Sequence, residues 1–174
     1  GSAVPADSTR LGSVPTARSG MVAGCENGPV SVEPQIPNVL AQRYASTEMV
    51  TLWSPEHKVR LERDLWIAVL RAQADLGIAL PEGTITAYEA VRDQVDLASI
   101  SAREQVTRHD VKARIEEFCE LAGHQYIHAG MTSRDLTENV EQLQLKRSME
   151  VLADRALASL ARLANLAADH ATTV

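Results

Sequence analysis

The chain has 174 residues, a formal net charge of −6 and only 3% aromatic residues. This length is enough for one domain with a buried core. The excess of acidic residues argues against nucleic-acid binding, because the phosphate backbone of a nucleic acid requires a basic face. No apolar run approaches the ~20 residues of a membrane span. The shortage of aromatic residues favours helices over sheets, so we predict an all-α protein with no nucleic-acid partner and no membrane partner.

The two cysteines, Cys25 and Cys119, lie far apart in the sequence. Their spacing fits neither a zinc site nor a disulfide framework. Free cysteine is among the most frequently buried residues, so we interpret Cys119 as a buried helix thiol and Cys25 as a thiol of the N-terminal segment. This use of cysteine fits a reducing, cytoplasmic compartment.

The N-terminal segment differs in composition from the remainder of the chain. Residues 1–37 contain five of the seven prolines and five of the nine glycines, and they show no hydrophobic period. Such a composition is typical of disorder, and the first two residues resemble a protease-cleavage scar. We therefore predict a disordered tail over residues 1–35 and a helical domain over residues 36–132.

Helix-start signals mark three elements within this domain. Ser54 before Pro55 combines an N-cap residue with proline at the first helical position, which predicts a helix from Pro55 to Leu76 that Gly77 closes. Two capping-box patterns, at Thr86–Glu89 and Ser101–Glu104, predict a short helix after each. The predicted buried stripe of the first helix consists of Val59, Trp66, Val69, Leu70 and Leu76.

The sequence predicts one very long helix over residues 133–174. A helical pattern from Asp110 to Ala122 stops at Gly123, and residues 123–131 lack a helical period, which indicates a loop. Residues 133–174 contain neither glycine nor proline and carry an apolar stripe. A helix of about 39 residues would be roughly 60 Å long. We therefore expect this helix to join a multi-subunit central helical bundle, and we interpret the chain as the truncated front part of a longer protein.

Residues able to carry chemistry gather at two predicted helix N-termini. Thr107-Arg108-His109-Asp110 precedes one helix, and His128–Asp135 opens the long one. Free N–H groups and the helix dipole attract anions at such ends. The pattern indicates a phosphate or carboxylate site with titratable groups beside it. Asp110 and Ser133 are also explained as simple N-caps. His124 and His128 have HxxxH spacing, but they lie in the predicted loop and not on one helix face, and no HExxH motif occurs, so we predict no metal site.

Three segments, taken in order, resemble the adenylosuccinate lyases, a family within the fumarase/aspartase superfamily. The resemblance covers residues 36–174 and indicates the N-terminal portion of such an enzyme. The three segments are Ile36–Leu40 leading into Arg43–Met49 and Leu52–Ser54, then Thr107–Val111, then His128–Asp135.

The resemblance implies a cytoplasmic homotetramer whose active sites are composite, each built from more than one subunit. It implies β-elimination of fumarate at two steps of purine nucleotide biosynthesis. The substrates are adenylosuccinate, which gives AMP, and SAICAR, which gives AICAR. It implies no metal and no organic cofactor.

Roles follow from the resemblance residue by residue. It implies that Arg43 and Tyr44 contact the nucleotide part of the substrate. The stretch Arg108, His109 and Asp110 matches a substrate-binding motif, in which His109 is an auxiliary acid or an orienting group. The remaining matches are His128 for the substrate phosphate and Thr132 with Ser133 for the succinyl carboxylate.

The chain also departs from the family pattern. The family's principal base, a serine on a mobile loop, and its principal acid, a histidine, lie in motifs that these 174 residues do not contain. Arg134 follows the Thr132-Ser133 pair where small residues are frequent in relatives. We therefore expect the chain alone to be catalytically incomplete. Two alternatives stay open, namely another lyase of the superfamily and a non-catalytic helical oligomerisation module.

Overall fold

The structure is a computed structural model that describes residues 38–173. Every regular element in this range is a helix, which confirms the predicted all-α fold. The predicted disordered tail, Cys25 and the start of the first family-like segment lie outside the described residues. The helices are α1 (Val39–Tyr44), α2 (Thr47–Leu52), α3 (Pro55–Asp75), α4 (Thr84–Ala90), α5 (Leu97–Thr107), α6 (Asp110–Ala122) and α7 (Ser133–Asp169).

Helix α3 supplies the centre of the core. Ser54 caps it as predicted, and its hydroxyl accepts a hydrogen bond from the backbone N–H of His57 at 3.3 Å. Gly77, with φ of +87°, follows the helix in the left-handed region that glycine tolerates. The prediction that Leu76 is buried was wrong, because it caps the C-terminal end and is 83% exposed. The buried apolar cluster around α3 consists of Trp66, Ile67, Leu70, Tyr88, Val111, Phe118, Cys119, Ile127 and Leu136.

Both predicted capping boxes were wrong. Helix α4 begins earlier, at Thr84, after Gly83 in the left-handed region, so Thr86 lies inside its first turn. Helix α5 begins after Asp96, whose carboxylate accepts from the backbone N–H of Ser99 at 2.9 Å, and Ser101 lies inside that helix. A Ser/Thr-x-x-Glu spacing occurs within helices as well as at their ends. The helices begin at the upstream cap residues, Gly83 and Asp96.

A buried ion pair joins α3 to the opposite side of the domain. Arg63 Nη2 lies 2.5 Å from Glu117 Oε2 on α6, and the two side chains are 0% and 3% exposed. Arg63 Nη1 also donates to the carbonyl oxygens of Val91 and Arg92 at 2.9 and 2.8 Å. Glu117 Oε1 accepts from the backbone N–H of Asp96 at 3.3 Å. These bonds fix the segment that leads into α5.

Helix α7 packs on the core along its first half, and further along Arg155 forms an exposed ion pair with Glu48 on α2. Leu136 and Val140 are buried, and Gln144 Nε2 donates to the carbonyl of Leu52 at 2.8 Å. Beyond this point the leucines and the methionine of α7 are about half exposed or more, from 48% at Leu145 to 65% at Met149. Its 37 residues extend roughly 55 Å. No helix in the described part of the chain is long and apolar enough to cross a membrane.

Candidate functional site

Two of the three family-like segments meet where α6 and α7 begin. His109 Nε2 lies 3.5 Å from Ser133 Oγ, although the residues are 24 positions apart. His109 is itself the N-cap of α6, since its Nδ1 accepts from the backbone N–H of Lys112 at 3.3 Å. In a neutral imidazole with this acceptor, Nε2 carries the proton and faces the Ser133 hydroxyl.

The caps are therefore not the residues that the sequence suggested. Asp110 and Ser133, the two N-cap candidates, are the first residues of α6 and α7, and His109 and Thr132 occupy the cap positions. This correction matters for the chemistry. A side chain that is not used for capping remains available to a ligand, which applies to the Ser133 hydroxyl.

Thr132 closes the start of α7 with Asp135. The backbone N–H of Thr132 donates to Asp135 Oδ2 at 2.7 Å, while Thr132 Oγ1 accepts from the backbone N–H of Asp135 at 3.3 Å. These hydrogen bonds lower the pKa of the Asp135 carboxyl, first through the backbone N–H of Thr132. The carboxylate thus occupies part of the positive end of α7, and an incoming anion must bind beside it.

His128 is fixed from the side of the core. Its backbone lies in the left-handed region with φ of +66°, and its Nδ1 accepts from Trp66 Nε1 at 3.0 Å. The following carbonyl, of Ala129, accepts from Gln73 Nε2 at 3.0 Å. Burial lowers the pKa of His128 against the opposing effect of Asp135, and His109 also lowers it, so a neutral ring is favoured.

Two ion pairs link Asp110, through Arg114, to the buried Glu62. Arg114 Nη2 lies 2.8 Å from Asp110 Oδ2, and Arg114 Nε lies 2.6 Å from Glu62 Oε2. Glu62 is completely buried, and its Oε1 has no hydrogen-bond partner within the described residues. Burial raises the pKa of Glu62 to about 7 against the opposing effect of Arg114.

The other predicted site residues stand further from this cluster. Arg108 has φ of +54° at the C-terminal end of α5, and its exposed side chain forms no ion pair with the described residues. Arg43 and Tyr44 end helix α1, which buries none of its residues, and Tyr44 is 78% exposed. Neither side chain forms a hydrogen bond or ion pair with the cluster within residues 38–173. Arg134 is paired with Glu138 along α7.

Sequence reasoning missed Trp66, Glu62 and Arg114 as neighbours of the site. Trp66 was predicted only as a core residue, and its spacing on α3 gave no sign that its N–H reaches His128. Glu62 and Arg114 contact each other across 52 positions of sequence, a pairing that only the packing of α3 on α6 creates. No motif carries that information.

The arrangement is suited to an anionic ligand. His128, His109, Thr132 and Ser133 supply two imidazoles and two hydroxyls around the start of one helix, with Arg108 at the end of α5. These groups match carboxylate or phosphate oxygens. Within residues 38–173, no group of three His, Cys, Asp or Glu side chains is placed to hold a metal ion.

Comparisons with known proteins find adenylosuccinate lyases. The chain is 34% identical to the one from Schistosoma mansoni over 79% of this chain and 29% of that protein. It is 32% identical to the one from Methanocaldococcus jannaschii over 76% of this chain and 29% of that protein. The match from Saccharomyces cerevisiae is 30% identical, over 75% of this chain and 28% of that protein.

No family model matches the sequence. The chain spans about three tenths of the length of the curated relatives that it matches. The similarity nevertheless covers three quarters of the chain in relatives from widely separated organisms. The chain therefore represents part of a sequence of the adenylosuccinate lyase family.

Proposed function

We propose that this chain forms part of the active site of an adenylosuccinate lyase. The reaction is β-elimination of fumarate from adenylosuccinate, giving AMP, and from SAICAR, giving AICAR, in purine nucleotide biosynthesis. The observation that carries the proposal is the contact between His109 Nε2 and Ser133 Oγ, which joins two family-like segments at 3.5 Å. The enzyme acts as a cytoplasmic homotetramer.

The proposed chemistry begins with loss of a proton from the succinyl carbon next to a carboxylate. The electron pair left on that carbon is delocalised into the carboxylate, and it then forms the double bond of fumarate as the carbon–nitrogen bond breaks. The purine-side nitrogen takes up a proton. Thr132, Ser133 and the N-terminus of α7 bind the succinyl carboxylate, where they stabilise the developing negative charge.

His109 is an auxiliary group in this proposal. Its Nδ1 is used in the cap of α6, so only Nε2 can reach a ligand. An N–H at that position can orient the carboxylate bound at Ser133 or donate a proton towards the leaving nitrogen. Arg108 adds a positive charge at the adjoining end of α5, and Arg43 with Tyr44 bind the nucleotide part.

The proposed site needs further residues. The family's principal acid and base motifs do not occur in these 174 residues, so we assign them to other parts of the enzyme. The exposed apolar side chains of α7 favour assembly into a helical bundle, since large exposed apolar surfaces mark interfaces. Composite sites, with residues from several subunits, follow from that assembly. No cofactor takes part.

The test is fumarate release from adenylosuccinate by the enzyme that contains this segment. Ser133→Ala and His109→Ala should each lower kcat/KM by about 100-fold, the scale for loss of one group that stabilises developing charge. The control is Ser159→Ala, since Ser159 lies on the exposed half of α7 and its hydroxyl donates to the carbonyl of Arg155 in its own helix.

The possible outcomes separate the alternatives. Near-wild-type rates in both site variants would contradict the assignment of this cluster. Turnover of argininosuccinate but not of adenylosuccinate would favour another lyase of the superfamily. If adenylosuccinate is not cleaved and AMP with fumarate produces no thermal shift, the chain is better described as a non-catalytic oligomerisation module.

A further inference from the structure

One buried indole holds His128 from the core side. Trp66 Nε1 donates to His128 Nδ1 at 3.0 Å. The two rings meet edge to face, with centroids 6.0 Å apart and planes at 83°. Trp66 is completely buried between α3 and its neighbours. Because an indole N–H can only donate, His128 Nδ1 must accept and cannot carry a proton while this bond exists.

The hydrogen bond selects one form of the imidazole. A neutral ring has a single N–H, so an accepting Nδ1 leaves the proton on Nε2. A protonated ring has no acceptor and would lose the bond to Trp66 altogether. Partial burial of His128 favours the same neutral form, since it lowers the pKa of the ring. The indole and the burial therefore act together.

The backbone around His128 keeps the ring in this position. Its left-handed φ of +66° is uncommon for a residue with a side chain. The backbone N–H of Met131 donates to the His128 carbonyl at 3.3 Å, and Gln73 holds the neighbouring carbonyl. The ring lies within electrostatic reach of Asp135, in the first turn of α7, which raises its pKa, and of His109, which lowers it.

We propose that Trp66 is a positioning residue that holds His128 as the neutral Nε2–H tautomer, ready to donate a hydrogen bond to an anionic ligand group beside α7. The nature of that ligand rests on the proposed function, whereas the tautomer is a property of the chain itself. Nδ1 is fixed by a donor inside the core, so Nε2 is the ring nitrogen left for a ligand.

Nuclear magnetic resonance of the full chain labelled with ¹⁵N-histidine tests this directly. At neutral pH the His128 shifts should identify Nε2 as the protonated nitrogen. Trp66→Phe keeps an aromatic ring in the core and removes the donor, and should change the ratio of the two His128 tautomers by about fivefold. The matched control is Trp53→Phe, which removes an indole donor 2.9 Å from Ser148 Oγ, away from His128.

The outcomes are decisive in both directions. An Nδ1–H tautomer in the unaltered chain would overturn the proposal, even if the Trp66→Phe chain does not fold. An unchanged tautomer ratio in a folded Trp66→Phe chain would overturn it as well. The proposed function fails independently. If adenylosuccinate is not cleaved while the tautomer is as expected, the positioning role of Trp66 stands and the assigned reaction falls.

Discussion

At the scale of single residues, Glu62 is the least expected group near the site. A glutamate is rarely buried completely unless it is paired, and here Arg114 pairs with Oε2 while Oε1 has no hydrogen-bond partner among the described residues. Burial disfavours the ionised form, and Asp110 acts in the same direction; together they outweigh Arg114 and Lys58, which favour it. The carboxyl of Glu62 therefore changes its charge near neutral pH. Arg114 pairs with both this carboxyl and Asp110 and so connects the two.

The raised pKa of Glu62 has a consequence for stability. Between pH 4.5, the reference value, and about 7, the folded chain binds more protons at this carboxyl than the unfolded chain does. The free energy of unfolding contributed by Glu62 therefore falls as the pH rises through this window. Glu62→Gln removes this titration. The free energy of unfolding of the variant, minus that of the unaltered chain, should therefore be about 2 kcal/mol larger at pH 8 than at pH 5.

Urea unfolding at pH 5, 6, 7 and 8 measures this difference. Glu82→Gln is the control, because Glu82 is an exposed glutamate in the loop before α4. Comparing each variant with the unaltered chain at the same pH cancels the titration of His57 and His128, whose lowered pKa values act in the opposite direction. A stability difference that does not vary with pH would show that Glu62 stays ionised in the folded chain.

At the scale of elements, the sequence predicted those helix boundaries that have strong local chemistry. Ser54 with Pro55 located the start of α3, and glycines at positions 77 and 123 located two ends, because the backbone there is left-handed and glycine tolerates that conformation. The loop over residues 123–131 was equally evident. Weaker signals failed where two candidate starts competed, as at Thr86 and Ser101.

The candidate site was predictable as a set of segments but not as an arrangement. The sequence placed His109 and Ser133 at helix starts, which made both candidates for anion binding. Their contact depends on how α6 and α7 pack, and the buried bonds of Arg63 and Trp66 that support it cross 54 and 62 positions of sequence. Pairings over such distances leave no local pattern.

The capping assignments can be separated by a pair of matched substitutions. Thr132→Ala removes a side chain that caps α7 and should lower the free energy of unfolding by about 1 kcal/mol. Thr86→Ala, at the position where the sequence suggested a cap, should change it by less than about 0.5 kcal/mol, because this threonine lies exposed inside α4. Urea denaturation of both variants provides the comparison, and equal losses would contradict the capping roles.

At the scale of the whole molecule, α7 divides into a buried part and an exposed part. Its first turns belong to the core through Leu136 and Val140, and its last turns expose a series of leucines to more than half of their area. A surface helix of a globular domain buries its apolar face against the core of that domain. The 37-residue α7 does so only in its first turns and leaves the leucines of its last turns uncovered by the described residues. The proposed tetramer would cover these leucines.

Assembly can be tested through that surface. The double variant Leu160→Glu with Leu163→Glu should reduce the sedimenting mass from four times 18.9 kDa towards the mass of one chain, because charges would be buried in the bundle. The control is Val106→Glu, which alters an even more exposed apolar residue on α5. Analytical ultracentrifugation measures the masses. A monomeric unaltered chain, or a tetrameric double variant, would contradict assembly through α7.

The contact between Trp66 and His128 gives the chain an internal optical reporter. The sequence contains only two tryptophans, and Trp66 is the completely buried one. Its indole N–H is bonded to a ring at the candidate site, so its emission spectrum and lifetime depend on the charge of that ring and on any ligand that changes it. Replacing Trp53 by phenylalanine leaves Trp66 as the single tryptophan. Binding of a ligand at the site can then be followed as a change in the wavelength and intensity of tryptophan emission, without any added label.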